Sequence, residues 1–298
     1  MAPPILFFHQ NFEPYLAFTV WQARQTNPNS PVYLLGDAAN DLTSIGATHV
    51  HFREFATEAQ EFIALYQHLS THELECERLC FERWFYLLGF LKKFPFAEFY
   101  FLDSDYFLLM DIGEARGQWG EYEMAGAPAW AFAWFGRPQI IREFCSFVLD
   151  RYRDPAQIRS WQNAPPPGIS DMTLWMMFLK QGGFAHLNVG RPRNGLVFDD
   201  GLNNRNGFRM RGEIKELSRR DGMYFGWHEK TNEPVRFAGL HLQGKFSKRM
   251  GPLFTKWPLP LVRACWRPPY RRNWRKLAQM AIYCQTKGRT LFAPGDNR

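Results

Sequence analysis

Apolar residues gather into short runs alternating with amphipathic stretches, and that alternation predicts an α/β chain. Ile5 to His9 and Pro31 to Asp37 read as strands, the second ending in a Gly-Asp turn. Between them, Pro14 marks a helix start leading into Tyr15 to Gln25. Strand, helix and strand at this spacing predict a parallel βαβ unit. Thr48 to Phe52 reads as a third strand. Two helices follow, Glu58 to Leu69 and Glu73 to Lys93, the second drawn from the spacing of Leu79, Trp84, Leu87, Leu88 and Leu91. The wholly apolar run Phe99 to Leu102 reads as a strand buried on both faces.

Beyond Asp111 the alternation weakens. Met124 to Trp134 is expected to be a strand pair and Pro138 to Arg151 an amphipathic helix. Asn163 to Ser170, rich in proline, is a loop; Asp171 opens a helix over Met172 to Lys180. Phe184 to Val189, Leu196 to Phe198 and Arg236 to His241 read as strands, with a Gly/Asn/Arg-rich segment from Gly201 to Gly212. There is no internal repeat.

With 298 residues the chain can bury a large core. The expected organisation is one α/β domain over residues 1–250 and a tail over 251–298. Charge divides the same way: from Lys245 onward the balance is +12, whereas residues 1–244 carry −5. Aromatics reach 17%, which serves a Phe-rich core and also suits sugar stacking. The five cysteines form no CxxC pair, which excludes a zinc framework and favours a reducing compartment. Neither a signal peptide nor an apolar run of membrane-spanning length is evident, so a cytoplasmic protein is expected.

The densest chemistry follows the apolar run: Asp103-Ser104-Asp105. In an extended chain, residues i and i+2 face the same way, so both carboxylates would converge on one hard cation at a strand's carboxyl end. The order of apolar strand, Asp-x-Asp and apolar stretch resembles the signature of nucleotide-sugar-dependent glycosyltransferases of the GT-A fold, with a Rossmann-like, mostly parallel sheet flanked by helices. Gly239-Leu240-His241-Leu242-Gln243-Gly244-Lys245 is similar to the His-x-x-Gly element of retaining family 8 glycosyltransferases. That family carries Lys-Pro-Trp six residues after the His; here Lys245 and Lys248 fall four and seven after it, with no Pro-Trp.

The resemblance implies a Mn²⁺ or Mg²⁺ ion held by Asp103, Asp105 and His241, with Asp103 also reaching the donor ribose and Lys245 the diphosphate. It also implies an arginine on the preceding helix, Arg83, facing the donor. Pairing of an exposed Arg83 with Glu82 or Glu77 is the equal alternative. Asp171 is at once a helix N-cap and a candidate general base, and Asp200, in Asp199-Asp200, competes for that catalytic role. His9 and Asp37, at the ends of the first two strands, lie where the fold cradles a nucleoside, although turn roles account for them too.

Together these imply a metal-dependent transferase moving a sugar, from a UDP-sugar above all, to a glycan or lipid-linked glycan in bacterial surface polysaccharide synthesis. The tail from Phe254 to Leu277 interleaves Trp, Tyr and Arg, which suits an anionic membrane surface better than nucleic acid. Two alternatives stay open. A haloacid-dehalogenase-type phosphatase also places Asp-x-Asp after an apolar strand, with Asp199-Asp200 as its second acidic pair. A non-catalytic glycan-binding protein at a membrane surface would keep the scaffold without turnover.

Overall fold

The computed structural model describes residues 2–127, 131–163, 168–244, 248 and 250–255. Strand β1 (Ile5–Phe8), helix α1 (Pro14–Thr26) and strand β2 (Val32–Gly36) form the expected parallel βαβ unit, with Ile5 opposite Val32 and Phe8 opposite Leu35. Pro14 sits at the helix start, where its missing N–H costs no hydrogen bond. Strand β3 (Thr48–His51) extends the sheet beyond β2, and β4 (Phe99–Leu102) pairs in parallel with the other side of β1.

Alternate residues of these central strands enter two separate cores. Ile5, Phe7, Tyr100 and Leu102 face α1, whereas Leu6, Phe8, Phe99 and Phe101 face the opposite helical layer. Burial on both faces is why β4 has no polar position to reveal its period. The opposite layer comprises α2 (Ala56–Leu65), α3 (Leu74–Lys93) and, later in the chain, α5 (Gln139–Arg153) and α7 (Asp171–Gln181). Its centre is aromatic: Phe144 stacks on Trp175 with ring centroids 3.8 Å apart, and Trp84 meets Trp175 edge-on at 5.0 Å.

After β5 (Tyr106–Leu108) and the short α4 (Ile112–Arg116), strands β6 (Met124–Gly126) and β7 (Phe132–Phe135) make the expected strand pair, and it is antiparallel. β7 joins β4, and β8 (His186–Asn188) adds in parallel to β6, giving the order β3-β2-β1-β4-β7-β6-β8. The fold is therefore the expected mixed α/β architecture, with a mostly parallel central sheet flanked by helices.

A second sheet was not foreseen. It runs β12 (Leu217–Arg220), β13 (Met223–His228), β14 (Glu233–His241) and β5, with β9 (Leu196–Phe198) parallel to β14. A two-stranded ribbon, β10 (Met210–Arg211) with β11 (Ile214–Lys215), precedes it. Two further elements differ from the sequence expectation. Helix α2 spans Ala56–Leu65, not Glu58 to Leu69, because the Leu69 carbonyl accepts from Ile169 N–H at 2.8 Å and Ser70 bridges Gly168, so that segment pairs with the stretch just before α7. An unforeseen helix α6 (Pro155–Gln162) follows α5, capped by the Asp154 carboxylate on Ala156 N–H with Pro155 in its first turn.

The helix Gly251–Phe254 returns to the body, with Phe254 against Tyr224 and Phe107. Residues 256–298, holding most of the basic tail, lie outside the described residues, as does Lys245. Among the described residues, no helix is long and apolar enough to cross a membrane.

Candidate functional site

β4 hands the chain to β5 through Asp103-Ser104-Asp105, and the join is a turn: Tyr106 N–H donates to the Asp103 carbonyl at 3.0 Å. This corrects the expectation of an extended pair on one strand face. The carboxylates converge because the chain folds back between two sheets. The turn is pinned on both sides, by Asp103 N–H to the Ala131 carbonyl at 2.9 Å and by Leu242 N–H to the Asp105 carbonyl at 3.0 Å.

That second bond brings in the end of β14, where His241 lies opposite Tyr106 in the antiparallel ladder. Close approach depends on Gly239: a Cβ there would lie 2.4 Å from the Tyr106 ring and 2.9 Å from the Phe107 carbonyl. Only glycine lets β14 press onto β5 at this point. His241 Nε2 consequently sits 3.3 Å from Asp105 Oδ1. Asp103, Asp105 and His241 each offer a ligand atom, all within 4.8 Å of one another; among the described residues, no other trio of metal-ligating side chains converges in this way.

The charges are strongly coupled. Burial would lower the pKa of His241, but the Asp105 carboxylate outweighs it and lifts it to about 9. Burial would raise Asp105, yet His241 and Lys248 hold it down to about 2. Asp103 is pushed up, by burial first and by the Asp105 charge, against the pull of Arg83. Lys248 brings its Nζ within 3.1 Å of Asp105 Oδ2 and 4.8 Å of the Tyr15 ring centroid. An ammonium and an imidazole thus already answer the acidic turn, so the pocket accepts positive charge. Two carboxylates and one imidazole suit a hard or borderline cation such as Mg²⁺ or Mn²⁺. His241 Nδ1 lies 3.1 Å from the Asp200 carbonyl, which can only accept. That nitrogen therefore carries the hydrogen, leaving Nε2 to ligate when the ring is neutral.

Arg83 is not an exposed arginine paired with Glu82 or Glu77. Its guanidinium bridges Asp103 Oδ1 and Asp171 Oδ2 at 2.8 Å each, and the side chain is 14% exposed. The two acids raise its pKa in spite of burial. Asp171 is not the N-cap of α7; Ser170 is, accepting from Thr173 N–H in a capping box. Both Asp171 oxygens are occupied: Oδ2 accepts from Arg83 and from Trp84 Nε1 at 3.1 Å, and Oδ1 from Met172 N–H at 2.8 Å.

Behind His241 lies an ion pair with no solvent contact to speak of. The Lys215 and Asp199 side chains are each 1% exposed, and Lys215 Nζ donates to Asp199 Oδ1 and, at 2.8 Å, to the Gly201 carbonyl. The second Asp199 oxygen accepts from His241 N–H at 3.3 Å. The Asp200 carboxylate, by contrast, accepts from the Asn206 side chain.

His9 directly follows β1, with its ring edge-on to Tyr15, 5.8 Å between centroids. Its buried Nε2 has no hydrogen-bond partner among the described residues. Burial, assisted by the Lys248 charge, lowers its pKa to about 4. Asp37 has a turn role: Oδ2 accepts from Asn11 N–H at 2.7 Å and Oδ1 from Ala39 N–H at 2.8 Å. Sequence reasoning passed over Lys248 as a partner of Asp105, and Lys215 altogether. Lys248 was visible as the second lysine after His241. Lys215 carried no signal, since only the ribbon fold aims it at Asp199.

No protein-family model matches the chain, nor does any curated protein. Solved structures do. The apo structure of the bifunctional glycosyltransferase WbbM aligns at TM-score 0.47 and 9% identity, covering 88% of this chain and 51% of its own. Mouse xyloside xylosyltransferase 1, also apo, aligns at 0.44 and 9%, covering 62% and 84%. The galactosyltransferase LgtC, solved with donor and acceptor sugar analogues, aligns at 0.34 and 9%, covering 62% and 73%. The chain spans about half the length of WbbM.

Proposed function

We propose that the chain is a metal-dependent glycosyltransferase using a nucleotide-sugar donor. The observation that carries this is the convergence of Asp103, Asp105 and His241 at the carboxyl edge of β4, where open α/β sheets take their ligands. Asp105 and His241 would hold a Mn²⁺ or Mg²⁺ ion, with Asp103 ligating at its edge or accepting from the donor ribose. Such an ion supplies neutralising charge to a departing diphosphate. Lys248, beside Asp105, would join Lys245 as a phosphate contact. Arg83, clamped by Asp171, presents a fixed guanidinium beside the acidic turn for donor oxygens. His9, with its open Nε2, meets the nucleoside.

The finer reading is a UDP-sugar donor, kinship with the retaining family 8 enzymes, and transfer to a glycan or lipid-linked glycan of a bacterial surface polysaccharide. In it, the basic tail meets an anionic membrane surface on the cytoplasmic side. A phosphatase would need Asp199-Asp200 free beside the first acidic pair; Lys215 and the His241 amide instead occupy Asp199.

Calorimetric titration of the wild type and Asp105→Ala with UDP and GDP, with and without Mn²⁺, tests the proposal. Metal-dependent UDP binding abolished by the substitution supports it. GDP preference keeps the enzyme class and changes the donor. A folded sample that binds neither nucleotide overturns it.

A further inference from the structure

Helix α3 opens with two thiols that the acidic turn leaves unused. Cys76 and Cys80 stand one helical turn apart, and Arg83 follows a turn later on the same face. Cys76 is exposed and Cys80 half-buried. The two side chains hydrogen-bond each other, and the charges of Asp171 and Arg83 reach the Cys80 sulfur. One stripe of the helix therefore runs from a solvent-facing thiol to the guanidinium that bridges Asp103 and Asp171.

Cys76 lies in the first turn of α3, its N–H donating at 3.1 Å to the Glu73 carboxylate that caps the helix. The hydrogen bond from Cys80 holds the Cys76 thiol down to about 6, against burial and the Glu73 and Glu77 charges, and the same bond pushes Cys80 up. One sulfur is thus a nucleophile open to solvent, and the other a proton-bearing partner beside it. Cys145, by contrast, is 1% exposed, and burial pushes its thiol up. Buried Glu77 ties this first turn to the site. Its Oε1 accepts from Asp171 N–H at 3.3 Å, while Oε2 accepts from Ser70 Oγ at 3.2 Å and meets His72 Nδ1 at 2.6 Å. Cβ atoms four residues apart on a helix stand about 5–6 Å apart, whereas a disulfide needs about 3.5–4.5 Å. Closing Cys76 onto Cys80 must therefore distort the turn and carry Glu77, then Asp171 and Arg83, with it.

We propose that Cys76 and Cys80 form a redox-responsive dithiol, oxidised by a peroxide, whose state sets how Arg83 is presented to a donor. The Cys76 thiolate attacks one oxygen of hydrogen peroxide; an S–O bond forms, the O–O bond breaks, and the departing hydroxide is protonated by solvent, leaving a sulfenic acid. The Cys80 sulfur then attacks the Cys76 sulfur; an S–S bond forms, the S–O bond breaks, and hydroxide leaves with the Cys80 proton as water. Two thiols have given up two electrons, and the peroxide has become two waters. A thiol reductant reverses the change. The oxidation stands on the cysteine pair alone; its effect on donor binding rests on the transferase proposal.

The full chain is treated with hydrogen peroxide and desalted, remaining thiols are blocked with N-ethylmaleimide, and tryptic peptides are mapped by mass spectrometry. Trypsin cuts between the two cysteines at Arg78, so the expected product is a linked pair of the peptides ending at Arg78 and Arg83, separated again by dithiothreitol. In Cys80→Ser the reaction should stop at the Cys76 sulfenic acid, which dimedone traps. The UDP–Mn²⁺ titration on unblocked samples is expected to weaken about tenfold on oxidation, a usual size for coupling between two sites, and to recover with dithiothreitol. Cys76→Ser should bind UDP equally before and after peroxide. Absence of the linked pair, or equal nucleotide affinity in both states of the wild type, overturns the proposal. A linked pair in a chain that binds no nucleotide in either state would leave a reactive dithiol and refute its control of a donor site.

Discussion

Replacing Lys215 by Met is the sharpest test of how this site is held. Lys215 and Asp199 are each 1% exposed, and the lysine also donates to the Gly201 carbonyl. Unit charges about 4 Å apart at an effective dielectric of about 20 attract by roughly 4 kcal/mol. Measured costs of removing one member of a buried pair run about 3–5 kcal/mol, because the survivor is left uncompensated. At about 2–4 °C per kcal/mol for a domain of this size, Lys215→Met is expected to lower Tm by about 10 °C. Adding Asp199→Leu removes the stranded charge and should restore stability to within about 1–2 kcal/mol of the parent. Metal affinity should not return with it. Asp199 no longer accepts from His241 N–H, and lost support behind a ligand costs about tenfold or more in affinity. Urea unfolding followed by tryptophan fluorescence, paired with Mn²⁺ calorimetry, separates the two effects. An unchanged midpoint in Lys215→Met would refute the weight given to the pair. A double variant as unstable as the single would refute stranded charge as the cause.

Arg83→Met leaves Asp103 and Asp171 facing each other without their bridge, and a loss of about 3–5 kcal/mol is expected in chemical denaturation. Gly239→Ala should cost about 1–3 kcal/mol by driving a methyl into the Tyr106 ring, and should weaken Mn²⁺ binding by displacing His241; calorimetry reads both. Asp105→Asn should abolish any rise in Tm caused by millimolar Mn²⁺, as seen in a thermal-shift series with and without the ion. His9, lowered from 6.5 to about 4 in the fold, takes up its proton first in the unfolded chain as pH falls. The stability of its neutral form is complete above pH 6.5 and lost on descent through about pH 4, at most about 3 kcal/mol. In EDTA, His9→Gln should therefore flatten the pH dependence of unfolding across that window, and a parallel curve would refute it.

The first half of the fold was legible because its elements are locally encoded. Pro14, the run Val32 to Leu35 and the apolar Phe99 to Leu102 each announce their structure without help from distant residues. The second sheet was not, since β12 and β13 mix buried positions with half-buried or exposed ones over a few residues, and they find their places only by pairing, β13 with β14 and β12 with β13. The same division runs through the site. Asp103, Asp105 and His241 were visible as motifs, whereas Lys215 and the Arg83 bridge to Asp171 depend on contacts between distant segments. Asp171 was misjudged as the cap because Ser170, one residue earlier, competes for the same helix end.

The turn at Asp103-Ser104-Asp105 is also the seam between the two sheets: β4 belongs to one, β5 to the other, and His241 closes the join from the far end of β14. A cation gripped across that seam would act as a clasp between segments widely separated along the chain. Ligand binding to the native state alone adds about 2.7 kcal/mol at a hundredfold excess over Kd. Since β13 and β12 hang from β14, the gain should spread through them as slower amide exchange, far from any atom that touches the ion.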